Sequence, residues 1–96
     1  MNITKSDGRF IETAMNAIAD PCRLSILQEI LRKGKLCCTD VQLLTGLSQP
    51  TCSHHIKLLA ESELIECRKE GRNLYFTLNK INFRKVNVFL EKFYEN

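Results

Sequence analysis

Leu47-Ser48-Gln49-Pro50-Thr51-Cys52-Ser53-His54-His55-Ile56-Lys57-Leu58-Leu59 reads as a helix whose two faces want different partners. Cys52, Ile56 and Leu59 recur at helical spacing as an inward stripe, while Gln49, Ser53, His54 and Lys57 offer short polar groups and one cation on the other side. Ser48 stands at the capping position, Pro50 is tolerated in the first turn, and Leu47 can staple onto Cys52. No acidic residue occurs between Asp40 and Glu61, so nothing along this segment repels a phosphate backbone. Taken alone the pattern fits a solvated face as well as a base-reading one. Its neighbours decide between the two.

Upstream, Thr39-Asp40-Val41-Gln42 has the capping-box pattern and opens a short helix that stops at Gly46. A short helix, a tight turn containing glycine and a second helix with a polar face make a helix-turn-helix, about 39–61. Downstream, Leu64 to Lys69 and Asn73 to Leu78 are short runs with β-branched or aromatic members, joined by Glu70-Gly71-Arg72. Arg68, Lys69 and Arg72 crowd the tip of this hairpin, about 64–78, around one Glu70. A basic hairpin directly after the second helix is a wing, able to touch a phosphate backbone or minor groove.

The outer segments complete the plan. Ile11, Ala14, Met15 and Ile18 form one stripe of a first helix, about 8–19. Asp20-Pro21 caps a second, which runs through Leu24, Ile26, Leu27, Ile30 and Leu31 and stops at Gly34. A last helix, about 81–95, carries Ile81, Val86, Phe89, Leu90, Phe93 and Tyr94, more large apolar surface than an end helix needs, which points to a dimer interface. The fold class is mainly α with a β-hairpin wing (α+β), a winged helix-turn-helix in the order α-α-α-α-β-β-α, forming one domain over 1–96.

Bulk properties set limits. A chain of 96 residues buries only a modest core, so dimerisation is a source of extra burial. The net charge of +3 is mild, but residues 21–60 hold all of it, with Arg23, Arg32, Lys33, Lys35 and Lys57 against Glu29 and Asp40. Met1 to Phe10 lacks an apolar run of signal-peptide length, and no segment is long enough to span a bilayer, so a cytoplasmic, nucleoid-associated protein without a membrane partner is expected. Five cysteines, an odd number, argue for reduced thiols rather than a disulfide framework.

Three pieces of this chain resemble the ArsR/SmtB family of winged-helix repressors, over roughly Ala19 to Leu78. They are Ala19-Asp20-Pro21-Cys22-Arg23-Leu24-Ser25-Ile26-Leu27 at the entry to the second helix, Leu47 to Leu59, and Arg68-Lys69-Glu70-Gly71-Arg72-Asn73-Leu74-Tyr75-Phe76 in the wing. The resemblance implies a homodimer through the first and last helices, a near-palindromic double-stranded operator, and repression relieved by an inducer. It also implies that Ser48, Gln49, Thr51, Ser53 and His54 face the major groove and that Arg72 meets the minor groove or a phosphate, with His55 in support. Lys57, Arg68 and Lys69 position more than they specify.

Soft-metal sensors of that family carry a leucine-cysteine-x-cysteine-aspartate box, matched here by Leu36-Cys37-Cys38-Thr39-Asp40. Thr39 occupies the second cysteine position and Cys38 sits one place early, while a trigonal arsenite site needs three converging sulfurs. Cys37 and Cys38 are therefore candidate metalloid, soft-metal or redox sensors in an incomplete box. No firm metal or cofactor site follows. The last helix has neither Cys nor His for the family's zinc site. Cys52 and Cys67 read as small hydrophobes, Cys22 as a thiol at a helix N-terminus, and Arg23 as a surface cation.

Enzymatic readings lack support: there is no glycine-rich phosphate loop, nucleophile elbow or carboxylate pair, and Cys52 and His55 would form a dyad without an orienting third group. The alternative from another class is a protein-interaction or antirepressor module without an inducer site, motivated by Glu61, Glu63, Glu66 and Glu70 flanking the basic groups.

Overall fold

The second helix starts at its Asp20 cap and stops at Gly34 as the sequence suggests, whereas the other helices depart from their expected bounds or caps. The computed structural model describes residues 5–95. Helix α1 spans Lys5–Ile18 and α2 Pro21–Lys33. Asp20 caps α2 by accepting from the Arg23 N–H at 3.0 Å, with Pro21 in the first turn. The start of α1 lies ahead of the expected residue 8.

A short strand, β1 (Leu36–Cys37), precedes α3 (Cys38–Thr45), and neither its existence nor the helix start matches the expectation. The cap of α3 is Cys37, not Thr39. The Asp40 carboxylate reaches back to accept from the Cys37 N–H at 2.9 Å and from its thiol at 3.3 Å. Two residues are too few for periodicity to signal a strand; β1 exists because Leu36 and Cys37 find Phe76 and Tyr75 to pair with.

Helix α4 spans Gln49–Glu61. Its turn from α3 hinges on Gly46, at φ +70°, whose N–H closes onto the Gln42 carbonyl at 2.8 Å. Strands β2 (Ile65–Glu70) and β3 (Asn73–Leu78) make the wing, and the three strands lie antiparallel in the order β1-β3-β2. Glu70 pairs with Asn73, so the connection is two residues rather than three, with Gly71 at φ +63° as a II′-type turn requires. Helix α5 spans Lys80–Glu91 and is capped by Asn79, whose side chain accepts from the Asn82 N–H at 3.0 Å.

The core joins all these elements. Ala14 and Ala17 of α1, Ile26, Leu27 and Ile30 of α2, Leu36, Val41, the α4 stripe, Leu64, Ile65, Phe76 and Val86 are buried together. Leu47 packs partly against this core, consistent with the expected staple on Cys52. Ser62, buried beneath the end of α4, satisfies its hydroxyl on the Leu59 carbonyl at 2.6 Å.

Candidate nucleic-acid interface

Helix α4 presents its two faces as the spacing predicts. Cys52, Ile56 and Leu59 are buried, and Ser48, Gln49, Thr51, Ser53, His54 and Lys57 are exposed. The Ser48 hydroxyl caps nothing: it pairs with the Thr51 hydroxyl at 3.0 Å instead of a backbone N–H. This leaves two hydroxyls joined and exposed at the leading edge of α4, next to Gln49. Lys57 sits 4.0 Å from Glu61 with both side chains solvated, a loose pair that a phosphate can replace.

The wing is basic in effect as well as in count. Lys35 draws off the charge of Glu70, with its ammonium 2.9 and 3.1 Å from the two carboxylate oxygens and 4.4 Å from the centre of the Tyr75 ring. That hydrogen bond, more than the bare charge, holds the Lys35 ammonium above its usual pKa. Glu66 accepts from the Asn79 amide at 3.2 Å. Among the described residues, Arg68, Lys69 and Arg72 form no ion pair and stand exposed. The glutamates that motivated an interaction module are in part already engaged.

Arg23 is the structural tie behind α4 that sequence reading missed. It is not a surface cation. Its guanidinium donates to the Ala17 carbonyl at 2.9 Å, the Asn16 carbonyl at 3.2 Å and His55 Nδ1 at 3.2 Å, tying the end of α1 and the start of α2 to α4. Because a guanidinium only donates, His55 Nδ1 accepts and the ring proton belongs on Nε2. His55 is thus the expected support, half-buried behind the exposed His54. The one available signal was Arg23 in the Asp-Pro-Cys-Arg entry, three residues after the cap.

The thiols disperse. Cys37 is bound to Asp40, whereas Cys38 turns partly into the core, and burial followed by the neighbouring Cys37 and Cys52 raises its thiol pKa. Among the described residues no third ligand gathers on Cys37 and Cys38, so an arsenite-type box does not assemble within one chain. Cys52 is buried and lies 3.4 Å from the Thr45 hydroxyl, the packing role expected of it. Cys67 lies in β2, as its reading as a strand cysteine has it, and is exposed because β2 leaves the core after Ile65. No helix among the described residues is long and apolar enough to cross a membrane.

Comparison with known proteins places this geometry. Residues 18–68 match the model of a helix-turn-helix domain family. The chain is 41% identical over 81 residues to the arsenical resistance operon repressor of Staphylococcus xylosus, covering 84% of this chain and 77% of that one. It is 30% identical over 85 residues to a cadmium resistance transcriptional regulatory protein homologue of Staphylococcus aureus, covering 88% and 70%. A crystal structure of an ArsR family transcriptional regulator superimposes with a TM-score of 0.79 at 25% identity, covering 96% of this chain and 91% of that one. An ArsR-like regulator from Rhodococcus shares the fold with a TM-score of 0.82 at 20% identity, covering 92% and 82%.

Proposed function

This chain belongs to the ArsR/SmtB family of winged-helix DNA-binding repressors, and from that premise we propose that it reads a near-palindromic operator as a cytoplasmic homodimer built through α1 and α5. Gln49 and Ser53, with His54 and the Ser48–Thr51 hydroxyl pair, read bases in the major groove; Lys57, Arg68, Lys69 and Arg72 hold phosphates or the minor groove. The observation that carries this reading is the exposed, acid-free polar face of α4 beside a wing whose Glu70 is already neutralised. Gln pairs bidentately with adenine and hydroxyls bond either base, whereas cations on phosphates supply position and salt dependence. The engagement of Glu70 and Glu66 weighs against the interaction-module alternative.

Relief of repression is assigned to Cys37 and Cys38. Two supports favour them: the arsenical resistance role in the names of relatives, and the place of Cys37 as the cap of α3, where a ligand on sulfur displaces the thiol proton that Asp40 accepts at the start of the helix-turn-helix. Converging sulfurs beyond these two have to come from rearrangement or a second copy. A mobility-shift titration on DNA upstream of the gene, at several salt concentrations with and without arsenite, cadmium or an oxidant, tests both halves. Sequence-independent binding at every salt sinks operator recognition. Identical binding with and without those agents, or release unchanged by Cys37→Ser, removes the sensor.

A further inference from the structure

Away from the groove-facing surface, three metal-ligating side chains meet at the seam between α2 and α4. One ligand atom from each of Asp20, Cys22 and His55 lies within 4.8 Å of the other two, and all three residues are half-buried. Asp20 and Cys22 flank Pro21 at the start of α2, so the helix start fixes their backbone, while His55 projects from the middle of α4. The Arg23 N–H holds the Asp20 carboxylate, and the Arg23 guanidinium sits on the His55 Nδ1 lone pair that an ion has to take over.

The separations suit a small cation. Zn²⁺ takes sulfur at about 2.3 Å and nitrogen or oxygen at about 2.0–2.2 Å, which places tetrahedral ligand atoms roughly 3.3–3.7 Å apart. Asp20 Oδ2 and His55 Nδ1 stand 3.9 Å apart, and with one ligand atom of each residue within 4.8 Å of the others the three close on an ion once the Arg23 guanidinium releases the His55 ring. One thiolate, one imidazole and one carboxylate form a borderline donor set that favours zinc-class ions over hard cations, and a single sulfur excludes trigonal arsenite.

We propose that Asp20, Cys22 and His55 form a site for a divalent zinc-class metal, with the fourth position open to water. The Cys22 thiol, raised by burial and then by the Asp20 carboxylate, gives up its proton when the ion binds. The ion takes the His55 Nδ1 lone pair that Arg23 now engages, and Arg23 keeps its two α1 carbonyls. Occupancy thereby cross-links the start of α2 to the helix that carries the base-reading face. The site stands independently of how that face is used.

Cobalt(II) is the probe, titrated into the reduced, chelator-treated full chain. The expected result is one equivalent bound per chain, with the d–d bands of a tetrahedral ion and a thiolate-to-cobalt charge-transfer band, both abolished by added Zn²⁺. Cys22→Ser should remove the charge-transfer band and weaken binding at least tenfold, and His55→Gln should weaken it comparably. The Cys37→Ser/Cys38→Ser double variant should keep both signals. Zn²⁺ should raise the thermal midpoint of the parent chain and leave that of Cys22→Ser unmoved, and the same melts show whether each variant is folded. Absence of cobalt binding, a band that survives in folded Cys22→Ser, or a band lost only with Cys37 and Cys38 overturns the proposal.

Discussion

Gln49, the proposed adenine reader, presents an exposed amide in the first turn of α4 beside the paired Ser48 and Thr51 hydroxyls. A bidentate amide–adenine contact is worth about 1–3 kcal/mol of discrimination. Gln49→Ala should therefore weaken the specific site by roughly 5- to 150-fold and change random-sequence affinity far less, as competition mobility shifts would measure. Equal losses on both DNAs would assign Gln49 to phosphate. Asp40 gives a second residue-scale expectation. The Cys37 N–H, then the Cys37 thiol, hold its carboxyl below the ordinary 3.8, and the Arg23 N–H does the same for Asp20. A depressed folded pKa gives stability that is whole above the unfolded value and is lost as pH falls through the folded one. Thermal midpoints of the parent chain should thus fall as pH drops below about 4. In Asp40→Asn the midpoint should start lower at neutral pH and fall less steeply in acid. Parallel curves would deny Asp40 that role.

At the scale of elements, the helix-turn-helix and the wing each rest on one glycine with positive φ. An L side chain at Gly46 must adopt φ +70°, which costs about 1–2 kcal/mol even though the space beside it is open. Gly46→Val should lower stability by that amount in denaturant melts; an unchanged midpoint would mean that the turn relaxes freely. In the wing, Arg72 makes no ion pair among the described residues, so Arg72→Ala should leave stability alone. It should weaken DNA binding on all sequences and reduce the salt slope by about 1. The elements that sequence makes legible are those with their own periodicity or caps: the α4 stripe, the Asp20 cap, and the runs from Leu64 to Lys69, one residue ahead of the observed Ile65–Glu70, and from Asn73 to Leu78. Strand β1 was invisible because its two residues carry no period and exist only through their pairing with β3. The Thr39 cap was misplaced for a related reason, since Asp40 could serve as the third residue after Cys37 and only the folded backbone chose between them. Likewise, Arg23 and His55 lie 32 positions apart and meet only when α2 packs on α4.

The molecule as a whole is elongated, with extents of 46 × 24 × 24 Å and a radius of gyration of 14.4 Å where about 12.5 Å describes a compact chain of this length. Its α5 end keeps large apolar groups in water: Ile81 is 68% exposed, Val88 51%, Phe93 75% and Tyr94 69%. Phe93 is already ordered against Phe89, edge to face at 5.4 Å, so a partner meets a formed surface rather than a loose tail. A surface of this kind at one end of a small domain is better buried than solvated, and in the proposed homodimer a second copy related by a two-fold axis would cover it while presenting two α4 helices to one side of a duplex. Such a dimer sets its recognition helices roughly 34–36 Å apart, one turn of DNA. A Val88→Glu/Phe93→Glu variant should sediment as a monomer while each protomer keeps its melt, because neither side chain belongs to the buried core. Its affinity for the full operator should drop toward the nonspecific level, which for specific regulators lies about 10³- to 10⁷-fold weaker. Inserting about 5 base pairs between half-sites, half a helical turn, should cost the parent dimer a comparable loss because the second α4 then faces the wrong side of the duplex. A monomeric variant that binds the full operator as tightly as the parent, or a parent indifferent to the insertion, would show that each domain reads DNA alone.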